Sequence, residues 1–94
     1  MSEKILTLHP EGKQGVNISR DKYDRVSTAI IEALITRGEL TFGDLIQEMN
    51  RKLAGTFDGS ISWYTTTVKM DLEARGAVER VPGSAPQLLR LVSK

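Results

Sequence analysis

Few residues in this chain are equipped for chemistry. It has no cysteine, which removes thiolate metal ligands, thiol nucleophiles and disulfides together. The single histidine, His9, has no Cys or spaced His to complete a ligand set, so it reads as a loop residue and no metal site is expected. Two acidic pairs, Asp21 with Asp24 and Asp71 with Glu73, lack a neighbouring nucleophile or base and read as solvated helix faces. Gly12-Lys13-Gln14-Gly15 has phosphate-loop composition but neither the spacing nor the following Ser or Thr. Asp58-Gly59 is turn chemistry. No catalysis and no cofactor is expected. The side chains that remain are suited to recognition: Ser62, Thr66, Thr67 and Lys69 in one segment, with Arg80, Arg90 and Lys94 beyond it.

Composition sets the frame for those residues. The chain has 94 residues, 39% hydrophobic and 27% charged, which is one domain's worth of ordinary globular sequence. A domain this small buries only about 60–68% of its unfolded surface and is often completed by a dimer partner. No window approaches the roughly 20 apolar residues of a bilayer span, and the apolar run near Ile5 is too short for a signal-peptide core. A cytoplasmic protein with no membrane contact is expected. The net charge of +1 announces neither a nucleic-acid field nor an acidic one.

Periodicity supplies the elements. Tyr23, Val26, Ile30 and Leu34 form one helical stripe, widened by Ile31 and Ile35, with Ser19 as N-cap and Gly38 past the end. Thr41 and Asp44 make a variant capping box before Phe42, Leu45, Ile46, Met49 and Leu53, a second helix closed by Gly55. Ser60 or Ser62 caps a third helix running to Arg75, with Ile61, Tyr64, Val68 and Leu72 inward. Two strand-length runs, Ala77–Val81 and Gln87–Val92, flank Pro82-Gly83-Ser84-Ala85-Pro86 and predict a hairpin. Ile5, Leu6 and Leu8 allow a short strand, and residues 9–17 show no periodicity.

Three helices followed by a two-stranded hairpin resemble the winged helix-turn-helix superfamily. Val68-Lys69-Met70-Asp71-Leu72-Glu73-Ala74-Arg75-Gly76-Ala77-Val78-Glu79-Arg80-Val81 looks like that family's passage from recognition helix to wing, where a core Leu precedes Glu and a helix-ending Gly. Thr41-Phe42-Gly43-Asp44-Leu45 resembles the junction of its small first strand with helix two. The chain is also similar to a group of small bacterial winged-helix proteins of unassigned function. The fold class expected is therefore α+β, with an N-terminal extension over residues 1–19 and a winged-helix domain over 20–94.

The resemblance implies a double-stranded DNA-binding protein, a bacterial transcription regulator, with helix three in the major groove and the wing on the backbone. Ser62, Thr66, Thr67 and Lys69 would then face bases or phosphates, and Arg80, Arg90 and Lys94 would anchor the wing. No Arg lies in the N-terminal half of helix three, so the commonest guanine contact is missing. Charge is sorted along the chain: five basic against seven acidic residues over 21–59, and five basic against three acidic over 60–94. Alternation along a half-exposed hairpin would also place Arg80 and Arg90. Trp63, Met70 and Ala74 would form an apolar strip opposite the core stripe. Either the N-terminal segment, a second subunit or another protein covers that strip, or the helix is rotated and Trp63 is core. A winged-helix module for protein contact or homodimerisation is accordingly the alternative reading.

Overall fold

A computed structural model describes residues 3–92. The described residues are α+β: three helices and two small antiparallel sheets. Strand β1 (Lys4–Leu6) pairs with β2 (Asn17–Ser19), placing Ile5 opposite Ile18. Helix α1 (Arg20–Arg37) follows without a break, then β3 (Glu39–Thr41), α2 (Phe42–Leu53), α3 (Ile61–Ala74), β4 (Val78–Arg80) and β5 (Leu88–Leu91). In the second sheet β5 is central, in the order β3-β5-β4, with Leu40 opposite Leu89 and Val78 opposite Leu91.

Each helix starts where a hydroxyl satisfies an otherwise unpaired amide. Ser19 Oγ accepts from Lys22 N, Thr41 Oγ1 from Asp44 N at 3.1 Å, and Ser60 Oγ from Trp63 N at 3.2 Å. Ser60, not Ser62, is thus the third cap. Gly38 ends α1 at φ 83, a left-handed conformation that costs glycine little, and its N–H donates to Leu34 O.

The core is the place where the three helices meet one face of the β3-β5-β4 sheet. Val26, Ile30 and Leu34 of α1, Leu45 and Met49 of α2, and Val68 and Leu72 of α3 close over Leu40, Val78 and Leu89. Ile18 is also buried in this core, with Ile5 packed against it. The apolar stripes are not buried along their whole length. Ile35 is 68% exposed, because the buried stripe of α1 narrows to Leu34 at its last turn; Phe42 lies at the surface; and Ile61 is only half-buried. Strands β2 and β3, three residues each, are too short for an alternation to be read. Among the described residues no helix is long and apolar enough to cross a membrane.

Candidate interaction surface on α3 and the N-terminal turn

The residues expected to meet DNA are distributed unevenly. Ser62 is exposed, and Thr66 is half-buried with its hydroxyl donating to Ser62 O at 2.8 Å. Thr67 is 7% exposed, so its place on a solvent-facing recognition surface must be corrected: the N-terminal turn lies over it. Lys69 Nζ lies 3.3 Å from Glu73 Oε2 and 5.2 Å from the centre of the Phe42 ring. Arg80 Nε donates to the other Glu73 oxygen at 3.0 Å. Arg90 Nε donates to Glu79 Oε2 at 2.6 Å, and its Nη1 lies 3.9 Å from Glu39 Oε2 across β3. Lys94 lies outside the described residues.

Each described cation of that group therefore already has a carboxylate neighbour. Such pairs contribute little to stability at the surface, but they change what an anion meets. A phosphate approaching Arg80 or Arg90 also approaches Glu73, Glu79 or Glu39. The β4–β5 connection, Val81 to Gln87, carries no charged residue at all, nor does α3 from Ile61 to Val68.

The acidic pair on α3 does not form a solvated face. Asp71 is fully buried and accepts from three directions: the Leu8 backbone N–H at 2.8 Å, Arg75 Nε at 2.8 Å, and the Tyr23 hydroxyl in a short hydrogen bond. A carboxylate tolerates burial when its lone pairs are met by donors and a cation. Burial, reinforced by the Asp71 hydrogen bond, pushes the Tyr23 phenol up to about 12. The same carboxylate holds the Arg75 guanidinium more firmly protonated than usual, chiefly through its hydrogen bond. Glu73 is similarly enclosed, with 7% of its side chain exposed between Lys69 and Arg80. The signal for Asp71 was present in the spacing. It stands three residues after Val68 and beside Leu72, inside the buried stripe, and four before Arg75.

Through Asp71 the chain before α1 is fixed onto α3. Thr7 extends the pairing of β1 and β2: its N–H and hydroxyl both donate to Val16 O, at 2.9 and 3.1 Å, while Val16 N donates back to Thr7 Oγ1 at 3.0 Å. Gly15 permits this closeness, since a Cβ there would lie 1.7 Å from Thr7 O. The turn so formed rests beside α3 and encloses a cleft of about 200 Å³. Leu8, Val16, Trp63 and Met70 give the cleft apolar walls, and Thr67 and Gln14 add polar groups. The outer rim stays open to solvent: Trp63 is 46% exposed, Leu8 42% and Val16 40%. Of the strip Trp63, Met70 and Ala74, the last two are half-buried and Trp63 remains at the surface, its ring edge-on to Tyr64 at 4.9 Å.

A wider groove of about 560 Å³ runs between α1 and the end of α2. Its charged residues are of both signs, with Lys52 and Glu32 3.9 Å apart.

Comparison with known proteins adds a family and no assigned activity. No curated protein and no solved structure matches the chain. Residues 4–89 match the model of a family of unknown function, DUF6958, and that match spans β1, the turn, all three helices and the first half of β5. The chain belongs to this family of unknown function, DUF6958.

Proposed function

We propose that this protein is a small, non-enzymatic winged-helix module that acts by docking on a second copy of itself, not by reading a DNA groove. The winged-helix reading is supported by the order α1, β3, α2, α3, β4, β5 and by a first strand that joins the hairpin in a β3-β5-β4 sheet. The docking reading is carried by one observation: the N-terminal turn lies against α3 at Thr67 and Met70, and the surface beside it is apolar, made of Leu8, Val16 and Trp63. Leu6, 53% exposed and two residues from Leu8 along an extended chain, continues it. Contiguous apolar surface of this kind marks an interaction site. A chain with net charge +1 meets little repulsion from its own copy.

Light scattering over a concentration series tests the proposal. A dimer should form by concentrations on the order of 100 μM and dissociate in Trp63→Ser with the fold intact by circular dichroism. A monomer throughout that range overturns it. Duplex DNA is the competing ligand, and fluorescence anisotropy at low salt should show no saturable binding. Salt-sensitive duplex binding that Arg80→Ala weakens would favour groove reading instead.

A further inference from the structure

We propose that the cleft between the N-terminal turn and α3 binds one small, neutral aromatic molecule, a single substituted ring. This goes beyond the dimer reading and does not rest on it, although Leu8, Val16 and Trp63 belong to both surfaces. Size limits the ligand first. The cleft measures about 200 Å³, and an apolar cavity of roughly 150 Å³ accommodates benzene. A single ring with a small substituent fits between the walls, and the rest of a larger molecule would lie outside the open rim.

The lining selects the class. Trp63 presents an indole and Met70 a thioether, and both favour an aromatic guest over an aliphatic one, through edge-to-face ring contact and sulfur–ring contact respectively. Leu8 and Val16 close the apolar side, and Gln14, Thr67 and the His9 ring offer hydrogen bonds to a hydroxyl on the ligand. The walls come from segments more than 45 residues apart, yet they are held in place before any ligand arrives. Asp71 fixes the Leu8 amide, and the three Thr7–Val16 hydrogen bonds fix the turn. A preformed site of this kind avoids the ordering cost that weakens small-ligand binding. It also accounts for an exposed indole on a helix whose other aromatic residue, Tyr64, is half-buried.

The test uses p-cresol as the probe and 4-methylcyclohexanol as its aliphatic counterpart, with the full-length protein observed by NMR. Trp63 is the only tryptophan and so gives one indole N–H signal. Saturable shifts of that signal and of the Met70 methyl are expected, with a Kd on the order of 1 mM or tighter for p-cresol and about fivefold weaker for the cyclohexanol. Met70→Trp fills the cleft from α3, and Val16→Trp fills it from the exposed turn, where folding is least at risk. Binding should vanish in whichever of these is folded. The proposal is overturned by unsaturable or absent shifts at Trp63 and Met70, by equal binding of the two probes, or by shifts that persist in folded Val16→Trp. The spectra are recorded at protein concentrations where light scattering shows only monomer, so a dimer does not cover the cleft and failure of one proposal is distinguishable from failure of the other.

Discussion

Replacing Asp71 with alanine should remove more stability than any other single change in this chain's polar network. The carboxylate is fully buried and receives the Leu8 amide, the Tyr23 hydroxyl and Arg75 Nε. Truncation leaves the buried Tyr23 hydroxyl and the part-buried Leu8 amide without an acceptor, at about 1–3 kcal/mol each. Arg75 is different, because 41% of its side chain is exposed and water replaces the lost partner, so its share is about 0–1 kcal/mol. The total is about 4 kcal/mol, against a stability of roughly 5–15 kcal/mol for a domain of this kind. At about 4–8 °C per kcal/mol, the melting temperature should fall by roughly 15–30 °C. Asp71→Asn keeps the volume and an oxygen for the Leu8 amide, and the Tyr23 hydroxyl can turn to accept from the new amide. Its cost should therefore be about half as large, on the order of 2 kcal/mol. Urea melts of the three proteins measure these differences, and amide exchange at Leu8 reports whether the turn has come off α3. A loss below about 1 kcal/mol for alanine, or a Leu8 amide equally protected in all three, would refute the account of Asp71 as the group that fixes the turn.

Other expectations follow from single contacts. Tyr23 is a neutral acid whose folded pKa is raised to about 12 from an ordinary 10, so its contribution is complete below pH 10. That contribution is lost as pH rises from 10 through 12, because the unfolded chain releases the proton first, and the loss is on the order of 2 kcal/mol. Alkaline melts should show this decline in the native protein and a shallower one in Tyr23→Phe. Gly15→Ala drives a Cβ into Thr7 O, to 1.7 Å without relaxation. The Thr7–Val16 bonds must then open, at about 2 kcal/mol in a urea melt, whereas Gly12→Ala meets no atom within 4 Å and is limited to its left-handed backbone strain. Thr65 Oγ1 is buried and has no hydrogen-bond partner among the described residues. Thr65→Val preserves the side-chain shape and removes an unmet polar group, so it should stabilise by about 1 kcal/mol; a destabilised variant would show that the hydroxyl is satisfied in solution.

The helices were legible because their determinants are local. Ser19, Thr41 and Ser60 are short hydroxyl residues ahead of apolar periodicity, and each caps within three residues of itself. Val26, Ile30 and Leu34 repeat at helical spacing, and burial follows the repeat. The hairpin of β4 and β5 was legible for a related reason: glycine and prolines interrupt two apolar runs. Strand β2 was not, since Asn17-Ile18-Ser19 has one apolar residue and owes its conformation to Lys4–Leu6 across the pair. The candidate site was misread in both directions. Thr67 was placed outward by helical geometry alone, which contains no information about a turn fifty residues earlier. Charge alone points Asp71 and Glu73 to solvent, although Asp71 sits within the core stripe.

What the amino-acid sequence determined by itself is the set of segments that become helices, where they start, which faces are apolar, and the absence of thiol chemistry. Those properties arise from neighbours within about four residues, through capping, periodicity and backbone conformation. The tertiary structure alone decided which surface of α3 remains free, that Lys69, Arg80 and Arg90 face carboxylates, and that Asp71 joins the Leu8 amide to α1 and α3. These depend on contacts such as Leu8 with Asp71, 63 residues apart. A charge or a threonine hydroxyl has no fixed role until packing decides whether water, a carboxylate or a buried amide stands opposite it.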